Sequence, residues 1–177
     1  MRRMKRCTEK EIKRKKEEKV VLKIRKGPSM PGMSYNVCRK KGRYVYCRHV
    51  IKKGQYITVY TGDTMSAEEG KKVEAKYAED PSIGSYLMFF DLNGKSYCID
   101  ATNEKTKGIA RLINHADHAE ANLKLNKIML GEKATVYFTA MKDIPRGEEL
   151  CYDYGERRAK VLEVCPFLSK KKRKPRK

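Results

Sequence analysis

Long apolar runs are missing from this sequence of 177 residues. The densest apolar run covers residues 87–90, far short of the about 20 residues that a membrane-spanning helix needs. The N-terminal residues are charged and lack the apolar segment of a secretory signal. The sequence therefore predicts a protein that neither crosses a membrane nor enters the secretory pathway.

Closely paired cysteines and glycine-rich phosphate loops are missing as well. The 6 Cys have no short paired spacings. We therefore expect reduced thiols rather than a disulfide framework, and a protein of the cytosol or the nucleus. No glycine-rich loop follows a predicted strand, which argues against nucleotide hydrolysis and against a dinucleotide-binding fold.

Acidic residues are scarce, and the excess positive charge is concentrated at the two ends of the chain. The sequence has 42 Lys and Arg against 22 Asp and Glu, a net charge of +20. Residues 1–32 contribute +9 and residues 169–177 contribute +7, which leaves +4 for residues 33–168. Cationic chain ends contact polyanions or act as nuclear addresses, and the alternative is a solubilising end without a partner. We predict a basic N-terminal arm, a globular middle and a basic tail.

Helix starts are marked by two capping boxes. Thr8 with Glu11 predicts a partly helical N-terminal arm, and Ser66 with Glu69 predicts a helix over residues 67–79. In each pair the first side chain caps backbone N–H groups of the helix while the second caps the first residue in return.

The remainder of the middle has the pattern of short strands. The Asn93-Gly94 pair is a strong hairpin signal because both central residues of the favoured turn need positive φ. A further short helix is predicted over residues 156–164. Short strands with few helices indicate a β-rich α+β fold. The predicted strands cover residues 56–60, 86–90, 96–99, 123–125 and 134–140.

Three stretches carry more polar and aromatic residues than a core requires. Residues 111–115 place an Asn-His pair directly after an apolar run, and Tyr152 and Tyr154 point to the same side of a strand-like run. A basic turn at residues 41–43 is followed, after the next strand, by residues 60–63. Taken singly, these stretches are also compatible with a capped turn, surface-sheet tyrosines and a charged hairpin.

Together and in this order, the stretches resemble those of the SET-domain protein lysine methyltransferases. Residues 111–115 look like the family motif R-(F/L)-(I/L)-N-H, and residues 148–155 (EELCYDYG) look like EELxYDYG. Lys41-Gly42-Arg43 looks like the opening GxG turn, and Tyr60 with Gly62 looks like Y-x-G.

The resemblance covers residues 33–168 and is strongest to the histone H4 lysine-20 monomethyltransferases. That subfamily has near-identical runs at positions 77–84, 97–102 and 111–115, and residues 163–168 parallel its E-x-x-P-W-L ending. Some positions depart from the family pattern, and these are Lys40, Tyr44, Val59, Ala116 and Phe167, the last standing where relatives have Trp.

The resemblance implies a SET-domain fold of several short curved sheets and few short helices. It implies that residues 111–115 and 148–155 thread together in a knot-like arrangement, an exception to the usual unthreaded connections. The catalytic domain would span residues 33–155, and residues 156–168 would close the cofactor site.

The implied activity is transfer of a methyl group from S-adenosylmethionine to a protein lysine. Tyr154 would be the main catalytic hydroxyl, while Tyr152 and Tyr60 would shape the lysine channel. The cofactor-binding residues that the resemblance implies are Lys41, Gly42, Arg43, Tyr86, Asn114, His115 and Phe167.

The implied setting is chromatin. We expect a monomer that monomethylates a histone H4 tail lysine on nucleosomes, in the nucleus and on the chromosome, with DNA contacted non-specifically through the basic arms. Only Cys165 follows residue 155, so we predict no zinc cluster of the kind that some SET enzymes carry there. Two alternatives stay open. One is a non-enzymatic chromatin or nucleic-acid binding module on a degenerate SET scaffold, and the other is a lysine methyltransferase acting on a non-histone protein.

Overall fold

A computed structural model describes residues 8–39, 42–80, 82–84, 86–103, 105 and 108–155. Its helices are α1 (Glu9–Lys26) and α2 (Ala67–Ala78), with a 3-10 turn at Ala110–Leu112. Its strands are β1 (Met33–Cys38), β2 (Gly42–Cys47), β3 (Tyr56–Val59), β4 (Asp63–Ser66), β5 (Leu87–Leu92), β6 (Lys95–Asp100), β7 (Asn114–His115), β8 (Leu123–Leu130), β9 (Lys133–Ala140) and β10 (Cys151–Tyr152).

Both helices begin at the predicted capping boxes. The Thr8 hydroxyl accepts a hydrogen bond from the Glu11 backbone N–H at 3.3 Å, and the Glu11 carboxylate accepts one from the Thr8 N–H at 2.8 Å. Ser66 and Glu69 form the same reciprocal pair at the start of α2. The two helix starts are therefore set by contacts within four residues of sequence.

The described strands form four small sheets. β1 pairs with β2, β4-β6-β5 and β3-β9-β8 form three-stranded sheets, and β7 pairs with β10. The β5–β6 hairpin turns at Asn93 and Gly94, whose φ values of 53° and 76° match the predicted turn. Small sheets with two helices confirm the predicted β-rich α+β class.

Strand β9, the central strand of the sheet β3-β9-β8, contributes one face to the hydrophobic core. The strand predicted over residues 134–140 is confirmed as β9, and its Val136 and Phe138 are fully buried. The preceding strand is longer than the predicted residues 123–125, because every residue of β8 up to Leu130 pairs with β9. The largest fully buried side chains are Phe138, Ile51, Ile57, Ile99, Ile113, Leu123, Ile144 and Leu150.

Helix α2 lies unusually close to the sheet that contains β6. Gly70 is the buried residue of α2, and a Cβ atom placed on it would come within 2.4 Å of the Cys98 Cβ. The missing side chain therefore lets the helix pack on the sheet at this distance.

The C-terminal strand β10 runs parallel to β7 and brings two distant motifs together. Cys151 pairs with Asn114 and Tyr152 pairs with His115. Asn122 holds the other side of β10, because its backbone N–H donates to the Cys151 carbonyl at 3.1 Å and its side-chain oxygen accepts from the Cys151 N–H at 2.9 Å. Residues 150–152 are thus held between two segments that precede them by about thirty residues, as the predicted threading requires.

Several predictions fall outside the described residues: those for Lys41 and Phe167, for residues 156–168 and for the tail at 169–177. Within the described ranges, neither helix combines the length and apolar character needed to span a bilayer. No group of three or more His, Cys, Asp or Glu suited to a metal ion lies in those ranges either.

Candidate active site

Three tyrosines converge where β10 ends. The rings of Tyr152 and Tyr154 have centroids 4.6 Å apart, and the His115 ring meets Tyr154 edge-on at 5.2 Å. The Tyr154 hydroxyl donates to the carbonyl of Ile113 at 2.7 Å. Tyr60 enters from the end of β3 and donates to the backbone carbonyl of Tyr86 at 3.1 Å, so its phenol is also oriented.

These three phenols are protonated at neutral pH. Burial raises the pKa of Tyr60, Tyr152 and Tyr154 well above the ordinary value of a phenol, and the neighbouring phenols raise the pKa of Tyr60 and Tyr152 further. Although 42% of the surface of Tyr154 is exposed, its hydroxyl is hydrogen-bonded to the Ile113 carbonyl. The tyrosines can therefore act as oriented dipoles but not as bases.

The Tyr152 hydroxyl differs from the other two. Tyr152 is 6% exposed, yet its hydroxyl makes no hydrogen bond to any residue that the structure describes. The residue lines a cavity of about 1100 Å³, so its hydroxyl is the one left to bind a molecule inside that cavity.

Two arginines, Arg43 and Arg111, hold Tyr86 next to the three tyrosines. Arg43 donates to the Tyr86 hydroxyl at 2.7 Å, and the Arg111 guanidinium lies over the Tyr86 ring, 4.3 Å from its centroid. A cation over an aromatic face is attracted by the ring. Tyr86 is therefore fixed both at its tip and on its face.

Asn114 ties the cavity wall to the backbone. Its side-chain amide donates to the Arg43 carbonyl at 3.1 Å and to the Glu149 carboxylate at 2.9 Å. One side chain on β7 thus joins β2 to the chain that enters β10. Since both donors of this amide are used, its contribution is to hold the two segments at a fixed separation.

His115 lies behind Tyr154 rather than in the cavity wall. Its Nδ1 accepts a hydrogen bond from the Tyr154 N–H at 3.2 Å. Its Nε2 is buried without a hydrogen bond in the described part of the chain and lies 4.0 Å from a carboxylate oxygen of Asp117. His115 therefore supports the backbone of Tyr154.

A cavity of about 1100 Å³ encloses these groups. A second cavity of about 850 Å³ between β4, β6 and the β8–β9 turn contains none of the tyrosines discussed above. The larger cavity is the better candidate because oriented hydroxyls and arginines converge there. Its walls include Gly42, Arg43, Tyr60, Tyr86, Arg111, Asn114, Tyr152 and Tyr154.

The residues implied by the resemblance thus meet in one place, with two exceptions. Of the ten, seven line the cavity, and His115 lies directly behind it. Lys41 and Phe167 lie outside the described residues.

Tyr44, a departure from the family pattern, faces away from the cavity. Its ring contacts Tyr46 at 6.0 Å, and it follows Arg43 on a strand whose side chains alternate between faces. Gly42 and Arg43 therefore form the cavity wall at this turn, and the bulky Tyr44 ring does not line the cavity.

The cavity suits a ligand that approaches backbone atoms closely. Gly42 has φ of 69°, and apart from its chain neighbours no heavy atom of the described residues lies within 4 Å of the position that a Cβ would occupy. Open space at a left-handed glycine next to Arg43 and Asn114 fits S-adenosylmethionine, whose methionine end carries both a carboxylate and an ammonium.

Sequence reasoning missed three contributors to the site. Ile113 acts through its backbone carbonyl, for which an apolar side chain gives no signal. Arg111 was noted only as part of the R-(F/L)-(I/L)-N-H motif and was given no role. Its positive charge, three residues before Asn114, could have indicated a contact in the site. Thr102, whose hydroxyl accepts from the Tyr86 N–H at 3.2 Å, becomes visible only once β6 is placed.

Comparison with known proteins gives the family. The SET domain family matches residues 42–155. The N-lysine methyltransferase KMT5A-A of Danio rerio is 37% identical over 168 residues, which cover 95% of this chain and 48% of that protein. The histone-lysine N-methyltransferase set-1 of Caenorhabditis elegans is 40% identical over 129 residues, 72% of this chain and 52% of that protein. The chain spans about half the length of these curated relatives.

Solved structures agree. The crystal structure of CpSET8 from Cryptosporidium matches with a TM-score of 0.72 and 30% identity, over 89% of this chain and 70% of that one. A structure of autoinhibited ctPRC2 bound to S-adenosylmethionine matches with a TM-score of 0.56 and 26% identity, over 76% of this chain and 16% of that one. The chain therefore belongs to the SET-domain family, in the branch that contains KMT5A and Set8.

Proposed function

We propose that this chain is an S-adenosylmethionine-dependent protein lysine N-methyltransferase that adds one methyl group to a lysine of a histone H4 tail. The observation that carries the proposal is the convergence of three tyrosines, Tyr60, Tyr152 and Tyr154, on one cavity that Arg43 and Asn114 also line. Lysine methyltransferases in this branch of the family supply the second support.

S-adenosylmethionine, when bound, supplies an electrophilic methyl group on a positively charged sulfur. We assign it to the side of the cavity that contains Gly42, Arg43, Tyr86 and Asn114, with His115 behind. Asn114 fixes the Arg43 backbone, and Arg43 fixes the Tyr86 hydroxyl, so this wall is organised before a ligand arrives.

The substrate lysine has to be neutral to attack, although the pKa of a free lysine is near 10.4. We assign the lysine to the channel between Tyr60, Tyr152 and Tyr154, where burial lowers the pKa of an amine. The Tyr154 hydroxyl donates its hydrogen bond to the Ile113 carbonyl, so its oxygen lone pairs can face the reacting centre. Holding the amine in line supplies roughly 7–11 kcal/mol of the rate enhancement.

The number of methyl groups follows from Tyr152. We assign its unbonded hydroxyl to an ordered water beside the lysine nitrogen. A methylated amine would have to expel that water in order to turn for a second transfer, and losing a well-held water without replacing its bonds is unfavourable. Transfer therefore stops at one methyl group.

The peptide side of the cavity suits an extended, basic segment. β5 is an edge strand of its sheet, and residues 87–91 line the cavity, so a peptide can add alongside β5 by backbone hydrogen bonds. Glu74 and Asp91 lie in the same wall and supply negative charge for a histone tail. These two carboxylates can pair with basic side chains of the tail, although Arg43, Lys71 and Arg111 line the same cavity.

The cationic ends suit DNA rather than the histone tail. Helix α1 is exposed along most of its length and carries basic residues in its last turn. We propose that it contacts nucleosomal DNA together with the tail at residues 169–177, in the nucleus and on the chromosome, with the protein acting as a monomer. Contacts of this kind weaken as salt rises.

Labelling of intact nucleosomes with radioactive S-adenosylmethionine, followed by mass spectrometry of the modified site, tests the proposal. We expect label on one H4 lysine carrying a single methyl group. Label on another histone or a non-nucleosomal protein would reassign the substrate. If the protein binds the cofactor but labels no protein, the result would favour the alternative of a non-enzymatic chromatin or nucleic-acid binding module.

A further inference from the structure

Every backbone and side-chain polar group of Tyr86 is hydrogen-bonded. Its hydroxyl accepts from Arg43 at 2.7 Å, and its carbonyl accepts from the Tyr60 hydroxyl and from the Ala101 N–H, each at 3.1 Å. Its N–H donates to the Thr102 hydroxyl at 3.2 Å. The contacts to Arg43 and Tyr60 belong to the site already described, whereas Thr102 lies outside the cavity wall.

Thr102 is held in turn by a carboxylate that also reaches α2. The Thr102 N–H donates to one oxygen of Asp100 at 2.8 Å, and the Tyr77 hydroxyl donates to the other oxygen at 2.8 Å. The hydrogen bond to Asp100 raises the pKa of Tyr77, which keeps the phenol protonated and able to donate. A continuous chain of hydrogen bonds therefore runs from Tyr77 through Asp100 and Thr102 to Tyr86.

The chain of bonds starts on the helix face that forms the peptide side of the cavity. Ala67, Lys71 and Glu74 of α2 line the cavity, and Tyr77 follows Glu74 by three residues, on the same face of the helix. The Tyr77 hydroxyl thus connects this wall to the residue that the proposed function places beside the cofactor.

We propose that Tyr77, Asp100 and Thr102 are positioning residues that hold Tyr86 in place for the cofactor. The inference rests on the proposed function, because it takes Tyr86 to be part of the cofactor pocket. None of the three residues lines the cavity, so each acts through Tyr86 and none touches the reacting atoms.

A matched pair of substitutions at Thr102 isolates the bond. Thr102→Val keeps the shape of the side chain but removes the acceptor for the Tyr86 N–H, whereas Thr102→Ser keeps the acceptor. Titration calorimetry of the full chain with S-adenosylhomocysteine, the unreactive product of the cofactor, measures the effect. We expect Thr102→Val to weaken binding by about threefold to tenfold, the loss of one neutral hydrogen bond, and Thr102→Ser to remain within about twofold of the wild type.

A second pair of substitutions tests the hydrogen bond from Tyr77 to Asp100. Tyr77→Phe removes only the hydroxyl, and Tyr35→Phe makes the same change on exposed β1, outside the cavity. We expect Tyr77→Phe to raise the KM for S-adenosylmethionine by about threefold while kcat changes by less than about twofold, since one remote bond is lost and the reacting groups are intact. Tyr35→Phe should change neither.

The outcomes separate the inference from the proposed function. If the wild type binds S-adenosylhomocysteine and Thr102→Val binds it equally well, or Thr102→Ser is as weak as Thr102→Val, the positioning role is wrong and the proposed function stands. If Thr102→Val does not fold, an unchanged KM in Tyr77→Phe overturns the inference instead. A folded wild type that binds no S-adenosylhomocysteine overturns both.

Discussion

Tyr152 and Tyr154 are two residues apart, but their hydroxyls have different surroundings. The Tyr154 hydroxyl donates a hydrogen bond to the Ile113 carbonyl at 2.7 Å, while the Tyr152 hydroxyl can bind a molecule in the cavity. Two neighbouring tyrosines can therefore have separate roles, one acting on the reacting centre and one limiting how often it reacts.

Tyr152→Phe should convert the protein from a monomethylating to a dimethylating enzyme. The change removes the hydroxyl that anchors the water and leaves the ring in place, so the first transfer should keep most of its rate. Mass spectrometry of a single-lysine peptide over a time course measures both products. A wild type that itself makes mostly dimethyl or trimethyl product would contradict the role given to this hydroxyl.

Asn114→Ala should weaken S-adenosylmethionine binding by about 1–3 kcal/mol, the usual cost of leaving buried polar partners unmet. The substitution removes the hydrogen bonds from this amide to the Arg43 carbonyl and to the Glu149 carboxylate. Titration calorimetry of the folded variant with S-adenosylmethionine measures this loss of binding free energy. Asn126→Ala is the control, because that amide bonds to Lys124 and Thr139 away from the cavity. Equal affinity in wild type and Asn114→Ala would remove Asn114 from the pocket.

At the scale of elements, the position of α2 decides the width of the cavity. Gly70 allows the helix to approach β6, and three side chains on the helix then form the cavity wall. A residue with a Cβ at this position would move the helix, because the atom it meets is the Cβ of Cys98 and not the end of a flexible side chain.

Gly70→Ala should lower the free energy of unfolding even though alanine favours helices. Replacing glycine in a helix gains up to about 1 kcal/mol, while overpacking a tight contact costs about 1–3 kcal/mol. Denaturant unfolding measures the balance. Lys72→Ala, on the exposed face of the same helix, should stay within about 0.5 kcal/mol of the wild type. Stabilisation by Gly70→Ala would show that the helix is not held at this distance.

Elements with local signals were predictable from the sequence, and elements made by distant contacts were not. The capping boxes and the Asn93-Gly94 turn act within a few residues, so their patterns could be identified directly. The two-residue pair of β7 and β10 has no local pattern, because each strand exists only through its partner. Its threading was implied by the family motifs alone.

The candidate site was predictable to a similar degree. Side chains that belong to the motifs, such as Asn114 and Tyr154, could be named in advance. The Ile113 carbonyl and the Thr102 hydroxyl could not, because their roles depend on where the chain folds back and not on residue type.

At the scale of the whole molecule, charge is distributed unevenly along the sequence. Residues 1–32 and 169–177 hold most of the net charge of +20, while acidic Glu74 and Asp91 lie in the cavity wall. Under the proposed function, the cationic ends would contact DNA, and the two carboxylates would pair with basic side chains of the substrate.

Deletion of residues 169–177 should reduce nucleosome affinity and its salt dependence while leaving methylation of a short peptide nearly unchanged. Seven basic residues are removed, and each phosphate contact on DNA adds roughly 0.9 to the slope of log affinity against log salt. Binding titrations at several salt concentrations and a parallel peptide assay measure the two effects. Loss of peptide activity on truncation would instead assign the tail to the active site.

The most direct test is the mass of a single-lysine H4 peptide after incubation with S-adenosylmethionine and either the wild type or Tyr154→Phe. The wild type should add one methyl group, and the variant should be slower by on the order of a hundredfold, as when one preorganised polar group at a reacting centre is removed. No methyl transfer by a wild type that binds the cofactor, or equal rates for the two proteins, would contradict the account.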